Sequence, residues 1–362
     1  MPNMKAILLT TMLAYLGGNI YLFIRSLQHM ANTPMLCKII FGGVFWMVAF
    51  ALFIAIGTRN IAMPETVART LFLAGSVWMV FLLYMVLLLA VADLIHLIRP
   101  SFNGFYYALG ITFCLLTYGY WNYRHPDVER VDINLEKPLK EPLRIVAVSD
   151  VHLGYGTNKK ALKRYVNLIN EQQPDIVLIA GDLIDNSIKP VREQQMHEEL
   201  QEINAPAYMV MGNHEYISGA AECVDFLSNT PIQLLKDSII TLENGVQIIG
   251  RDDRHNRRRK SLEQLVAECD NAKPTIVLDH QPYNLTQTDS LKIDLQFSGH
   301  THHGQVFPFN LLTDYIYEQS HGYRQWSYSH IIVSSGLSLW GPPFRIGTDS
   351  NIYIITISGN PQ

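Results

Sequence analysis

The first third of the chain is patterned by the absence of charge. Ala6–Ile24, Ile39–Thr58, Thr70–Ala92 and Pro100–Tyr123 carry no Asp, Glu, Lys or Arg and run for 19, 20, 23 and 24 residues. A bilayer core takes about 20 apolar residues of helix, so the pattern predicts four transmembrane spans. Core helices of a soluble protein are the competing reading, and four such runs with short connections weigh against it. Lys5 precedes the first run, yet no small-x-small cleavage site comes after it, so that run is expected to be an uncleaved helix. Tyr118, Tyr120, Trp121 and Tyr123 crowd the end of the fourth, where amphipathic rings favour the headgroup layer.

Lys5, Arg59, Arg69, Arg124 and Arg130 flank one side of these spans, and Arg25, Lys38 and Arg99 the other. The positive-inside bias places both ends of the four-span segment, and the domain after it, in the cytoplasm. Asp93 and His96 lie close to Arg99 and are expected to anchor the interface.

After Arg124 the pattern changes. Arg124–Pro142 is charged and holds three prolines, with an alternating stretch at 131–135 that predicts a short edge strand. Apolar, β-rich runs come next, at 143–149, 175–180, 207–211, 246–250, 275–279, 293–298, 330–335 and 352–357. Helical patterns separate several of them, at 159–172, 192–203, 220–228 and 261–269. Strands apolar on both faces and alternating with helices predict a layered α/β domain. The expected organisation is 1–124 transmembrane, 125–142 linker and edge strand, and 143–362 α/β.

Composition changes this picture little. Residues 1–130 carry eight Lys/Arg against four Asp/Glu; the remainder is mildly acidic, with no signature for nucleic acid. Cys37 lies at the edge of the second span and Cys114 inside the fourth, which leaves Cys223 and Cys269 and no disulfide framework.

The candidate chemistry sits just past the strands. Asp150 and His152 come after the first, Asp182 after the second, and Asn213, His214 and Glu215 after the third. Asp279 and His280 come after the fifth, and "GHTHHG" brings His300, His302 and His303 after the sixth. Loops at the carboxyl ends of strands converge, so carboxylates, imidazoles and a carboxamide are delivered to one edge. Those groups, without a thiolate, suit Zn, Mn or Fe. Asp150, His152, Asp182, Asn213, His280, His300 and His302 are too many ligands for one tetrahedral ion and suit two that share a carboxylate. Paired metals activate water and neutralise charge developing on a phosphoryl group. The alternation in Asp150-x-His152 and His300-x-His302 predicts that each pair shares a face of an extended segment. Gly181, Gly212 and Gly299 precede ligands where backbone must turn tightly.

The ordered series D-x-H, GD, GNH, H, GHTH resembles the calcineurin-like metallophosphoesterase family from about Val131 to Ile357, and "GNHEY", "HQP" and "SGHTHHGQ" resemble its membrane-associated subgroup. The resemblance implies an α/β sandwich with two central sheets flanked by helices, here behind a four-helix transmembrane domain. It implies that Asp150, His152 and His302 hold one divalent metal, that Asn213, His280 and His300 hold another, and that Asp182 bridges them. His214 would be catalytic, facing the substrate to stabilise phosphoryl charge or protonate the leaving oxygen, with Glu215 orienting it. His303 stands where the family usually has Gly, and is expected to face solvent, narrow the site or touch substrate. Gly336 and Arg345 match the family, whereas Asn351 stands where an acidic residue is common.

The run 251–260 holds six basic residues. It is read as a solvated approach to a helix, with Arg254, Arg257, Arg258 and Arg259 meeting lipid or substrate phosphates as the sharper alternative. Asp252 and Asp253 are assigned a structural role. The expected function is a membrane-embedded phosphohydrolase with two divalent ions (Mn, Zn or Fe), acting on a lipid or lipid-linked phosphate in the bilayer. The alternatives are a phosphodiesterase for a soluble substrate with the spans as anchor, a metal-binding sensor or scaffold, and a transporter with an appended hydrolase.

Overall fold

The computed structural model describes residues 4–58, 61 and 63–360. The chain divides into two compact units, Met1–Tyr120 with Gly341–Pro343, and Trp121–Trp340 with Phe344–Gln362.

The first unit is helical: α1 (Met4–His29), α2 (Met35–Gly57), α3 (Glu65–Ile98) and α4 (Phe105–Tyr123), whose last residues enter the second unit. Among the described residues, α2 and α3 are long and apolar enough to cross a membrane, with mean hydropathy of 2.6 and 2.5 in their most apolar windows. Length and composition thus support a crossing at two of the four expected positions. Arg59, part of the charge count that oriented the chain, lies outside the described residues. Asp93, expected at an interface, pairs with α1. Its carboxylate accepts from Arg25 at 2.7 Å and from the Tyr21 hydroxyl, pinning α3 to α1 through a charge pair. Trp78 Nε1 also donates to Asn19 at 2.9 Å, a second polar tie between the same helices. At Gly75 a Cβ would collide with the Leu52 backbone, so glycine lets α2 and α3 approach closely.

The second unit begins with β1 (Asp127–Pro138), β2 (Leu143–Val148), β3 (Ile176–Ala180), β4 (Ala207–Val210) and β5 (Ile232–Leu234). It continues with β6 (Ser238–Thr241), β7 (Gln247–Gly250), β8 (Thr275–Leu278), β9 (Leu295–Ser298), β10 (Gly322–Gln325), β11 (His330–Val333) and β12 (Asn351–Asn360). They form two mixed six-stranded sheets, ordered β1-β12-β2-β3-β4-β5 and β10-β11-β9-β8-β7-β6. β2 through β5 run parallel, as do β7, β8, β9 and β11.

Alternation along the strands explains the sandwich. In β2, Ile145 and Ala147 join Leu178, Ile248, Leu278 and Phe297 in the core between the sheets. Val146 and Val148 face the other way, against Leu162, Tyr165, Val166 and Ile169 of α5 (Lys159–Glu171). The second sheet is covered likewise, with Ile249 and Val277 on Leu262 and Leu265. Each such side chain contributes about 2 kcal/mol by leaving water.

The helix expected over 192–203 is broken into Lys189–Glu193 and His197–Leu200, with Gln195 in the left-handed region between them (φ 53°). The apolar pattern does not predict β5, β6 or β10; each has three or four residues, and all three lie at sheet edges with exposed positions.

Candidate metal centre

The carboxyl ends of β2, β3 and β4 in one sheet and of β8 and β9 in the other meet at one edge of the sandwich. There the structure brings together all seven expected ligands. Asp150, His152 and His302 offer ligand atoms within 4.8 Å of one another, and so do Asp182, His280 and His300. Asn213 joins the second group, its Oδ1 3.2 Å from His280 Nε2. Asp182 reaches both, with Oδ2 3.1 Å from His280 Nε2 and 3.9 Å from His152 Nε2.

The loops that carry these groups are strained. Asp150, His152, Asp182, His300 and His302 all have φ between 48° and 74°, a region that non-glycine residues avoid. Such conformations persist where the surrounding structure imposes them, and they cluster at functional sites. They also correct the expected extended geometry. His300 and His302 do not share a face; the left-handed turns send His300 to the Asp182 group and His302 to the Asp150 group. Gly212 and Gly299 provide the space for this crowding. A Cβ at Gly212 would strike Asp182 Oδ1, and one at Gly299 would strike the Asp150 carboxylate.

The donors fit divalent metal ions. His280 Nδ1 lies 2.7 Å from the Ala180 carbonyl, which only a protonated Nδ1 can satisfy. Burial alone would lower His280, but Asp182 outweighs it and holds the ring well above its ordinary value, so Nε2 carries a proton between Asp182 Oδ2 and Asn213 Oδ1, in the place a divalent cation would take on displacing it. His152 Nε2 and His302 Nε2 face each other at 3.1 Å beside Asp150. Burial, reinforced by cationic neighbours, lowers His300 to about 3 and holds His302 well below its ordinary value, so both are neutral, the form that ligates. Burial pushes Asp150 up, while at Asp182 the imidazoles, His280 foremost, overcome burial and hold the carboxyl well below the usual range.

His214 lies beside the first group, its ring 4.6 Å from that of His152. Its partner is not Glu215. The Glu215 carboxylate is fully buried and accepts from the backbone N–H groups of Asp182 at 3.0 Å, Ile184 at 2.9 Å and Gly212 at 2.7 Å. The start of the helix Asn213–Ser218 turns this side chain back onto the ligand loops, so it braces backbone. Asp185, which sequence reasoning missed, faces His214 instead. Its Oδ1 is 3.2 Å from His214 Nδ1 and 3.5 Å from His152 Nδ1. The signal is present in "GDLIDN", a second carboxylate three residues after the first.

His303 is half-buried and belongs to neither group; its ring stacks on that of His321 with centroids 3.5 Å apart. Arg254 packs over the Tyr283 ring at 4.2 Å, and the Tyr283 hydroxyl donates to that of Tyr317, whose ring is 6.3 Å from His300. Arg259 turns inward to Asp279 at 3.1 Å, so it is unavailable to phosphates. Asp252 and Asp253 are buried and bind Tyr216, Asn256, His255 and Gln281.

Arg345 is fully buried and braces the site from behind, donating to His302 O at 2.6 Å, to Ser338 O at 3.0 Å and to the Ser335 and Gly336 carbonyls. A lysine cannot reproduce this fork. Arg345→Lys is therefore expected to lower stability by about 2–4 kcal/mol and loosen His302, as read from thermal unfolding and metal content. An unchanged melting temperature would refute this role.

Residues 143–304 match the family model described as calcineurin-like phosphoesterase. A metallophosphoesterase of Helicobacter pylori is 33% identical over 271 residues, covering 72% of each chain. The chain belongs to the calcineurin-like metallophosphoesterases. It is thus a metal-dependent phosphoesterase of a family with a dinuclear divalent-metal centre. A transmembrane protein with metallophosphoesterase domain from Danio rerio is 32% identical over 71% of this chain and 63% of its own. Among solved structures, a dimetal phosphatase from Danio rerio aligns with 13% identity over 54% of this chain and 88% of its own, at a TM-score of 0.38. Among the described residues α2 and α3 are long and apolar enough to cross a membrane, and relatives from Danio rerio and Bos taurus are named as transmembrane proteins.

Proposed function

We propose that this metallophosphoesterase is a multi-pass membrane phosphohydrolase that cleaves a phosphoester or pyrophosphate bond of a lipid or lipid-linked substrate. Asp150, His152 and His302 hold one divalent ion, Asn213, His280 and His300 a second, and Asp182 is shared. The carrying observation is the convergence of both groups on Asp182. Bound metals supply an activated water and charge neutralisation at phosphorus. His214 holds a proton at the substrate side and delivers it to the leaving oxygen, with Asp185 fixing its ring.

An amphiphilic substrate is supported by the surroundings of the centre. The Trp340 ring lies 6.2 Å from His214, and the helix Phe309–Ile316, just after the ligand loop, exposes Leu311, Leu312, Tyr315 and Ile316. The charge count along the apolar segment favours a cytoplasmic catalytic domain.

The test is hydrolysis of a panel of lipid and soluble phosphoesters by the detergent-purified protein, with metal analysis and Asp182→Asn alongside. At least two metals per chain and Asp182-dependent phosphate release from a lipid substrate are expected. Turnover of soluble diesters only would make the helices an anchor and overturn the lipid reading.

A further inference from the structure

We propose that His303, Asp314 and His321 form a third cation site, suited to Zn2+, outside the two groups that converge on Asp182. One ligand atom from each residue lies within 4.8 Å of the others, on segments that are separate in sequence. His303 Nε2 is 3.5 Å and His321 Nδ1 4.0 Å from the same oxygen, Asp314 Oδ1. The two imidazoles stack with centroids 3.5 Å apart and planes 13° from parallel. Two imidazole nitrogens facing one carboxylate oxygen are the donor set of a Zn2+ site whose shell water completes.

Second, His303 adopts φ 47° and ψ 39°, left-handed backbone that glycine would occupy without strain. A bulky side chain is kept there at a conformational cost, and its ring is directed away from the adjacent His302 group to His321 and Asp314. Third, the carboxylate is oriented from behind, since the buried Ser320 hydroxyl donates to Asp314 Oδ1. His321 and Asp314 are about half exposed, 47% and 46% at their side chains, so an ion has access and water can complete its shell.

Imidazole and carboxylate without thiolate select a borderline divalent ion over Ca2+ or Mg2+. The ion would tie the loop bearing His300 and His302 to the helix Phe309–Ile316 and to the segment leading into β10. The site uses none of the seven residues assigned to the two-metal centre, so its fate and that of the proposed function can be told apart.

The test is metal counting on full-length protein in detergent, stripped with chelator and reloaded with Zn2+, then read by elemental mass spectrometry. Wild type is expected to hold three equivalents, and His321→Gln and Asp314→Asn two each, with unchanged melting of the metal-free protein. His303→Gly, which relaxes the backbone, is also expected to lose one equivalent. Cobalt substitution gives a second readout, since the visible spectrum of His321→Gln should lack one imidazole-ligated component. Equal stoichiometry in wild type, His321→Gln and Asp314→Asn would overturn the proposal, as would a wild type holding only two ions. Asp182→Asn reports on the other centre alone.

Discussion

Asp182→Ala is expected to release both ions of the centre together and to lower kcat by more than about 10³-fold, since water activation and charge stabilisation both leave with the ions. Asp182 is the carboxylate that reaches both groups, 3.1 Å from His280 Nε2 and 3.9 Å from His152 Nε2, while its Oδ1 accepts the His214 backbone N–H at 2.8 Å. Alanine removes the shared charge and orphans that N–H. Asp182→Asn keeps shape and acceptor but loses the charge, and should retain metal more weakly. His302→Ala touches one group only and should release one ion. The contrast between two ions lost and one, measured by elemental analysis beside kcat, is what identifies a bridging ligand. Full metal content and wild-type turnover in Asp182→Ala would remove the two-ion reading.

The ligand set is legible in the sequence because its members sit just past strands, and strands are legible from apolar runs. β2, β3, β4, β8 and β9 are buried on both faces, so each announces itself and the residues beyond it. β5, β6 and β10 are short edges whose half-exposed pattern resembles a loop. The orientation of side chains past the strands is not legible. Spacing in His300-x-His302 points to extended geometry, whereas positive φ at both residues divides them between two groups. Adjacency makes Glu215 look like the partner of His214, although its carboxylate turns back to three backbone amides. Asp185 is visible only as a second carboxylate in "GDLIDN" and Arg345 only through the family resemblance; what each one touches is set across the fold. Sequence spacing therefore identifies which residues reach the edge, and packing decides what each one faces.

The pairing of Asp185 with His214 carries the remaining large effect. His214→Ala should leave both metals bound and reduce kcat by about 10²–10⁴, the usual contribution of a positioned acid or base. Burial alone would lower the His214 pKa, but Asp185 first, then Asp182, outweigh it and raise the ring to about 8. An acid must hold its proton, so activity is expected below that value and to fall as pH rises through it. Asp185→Asn removes the leading raising contribution while preserving shape. The alkaline limb should then shift toward lower pH and kcat should drop, with KM changed little because Asp185 meets His214 and His152 rather than open space. His152 Nδ1 also loses a charged partner, so metal content is measured in the same variant to separate loss of the ion from loss of the proton. Restoring metal by excess Zn2+ or Mn2+ should leave the shifted pH profile in place. A pH profile identical to wild type, in a metal-replete Asp185→Asn protein, would mean that His214 does not deliver the proton under Asp185 control.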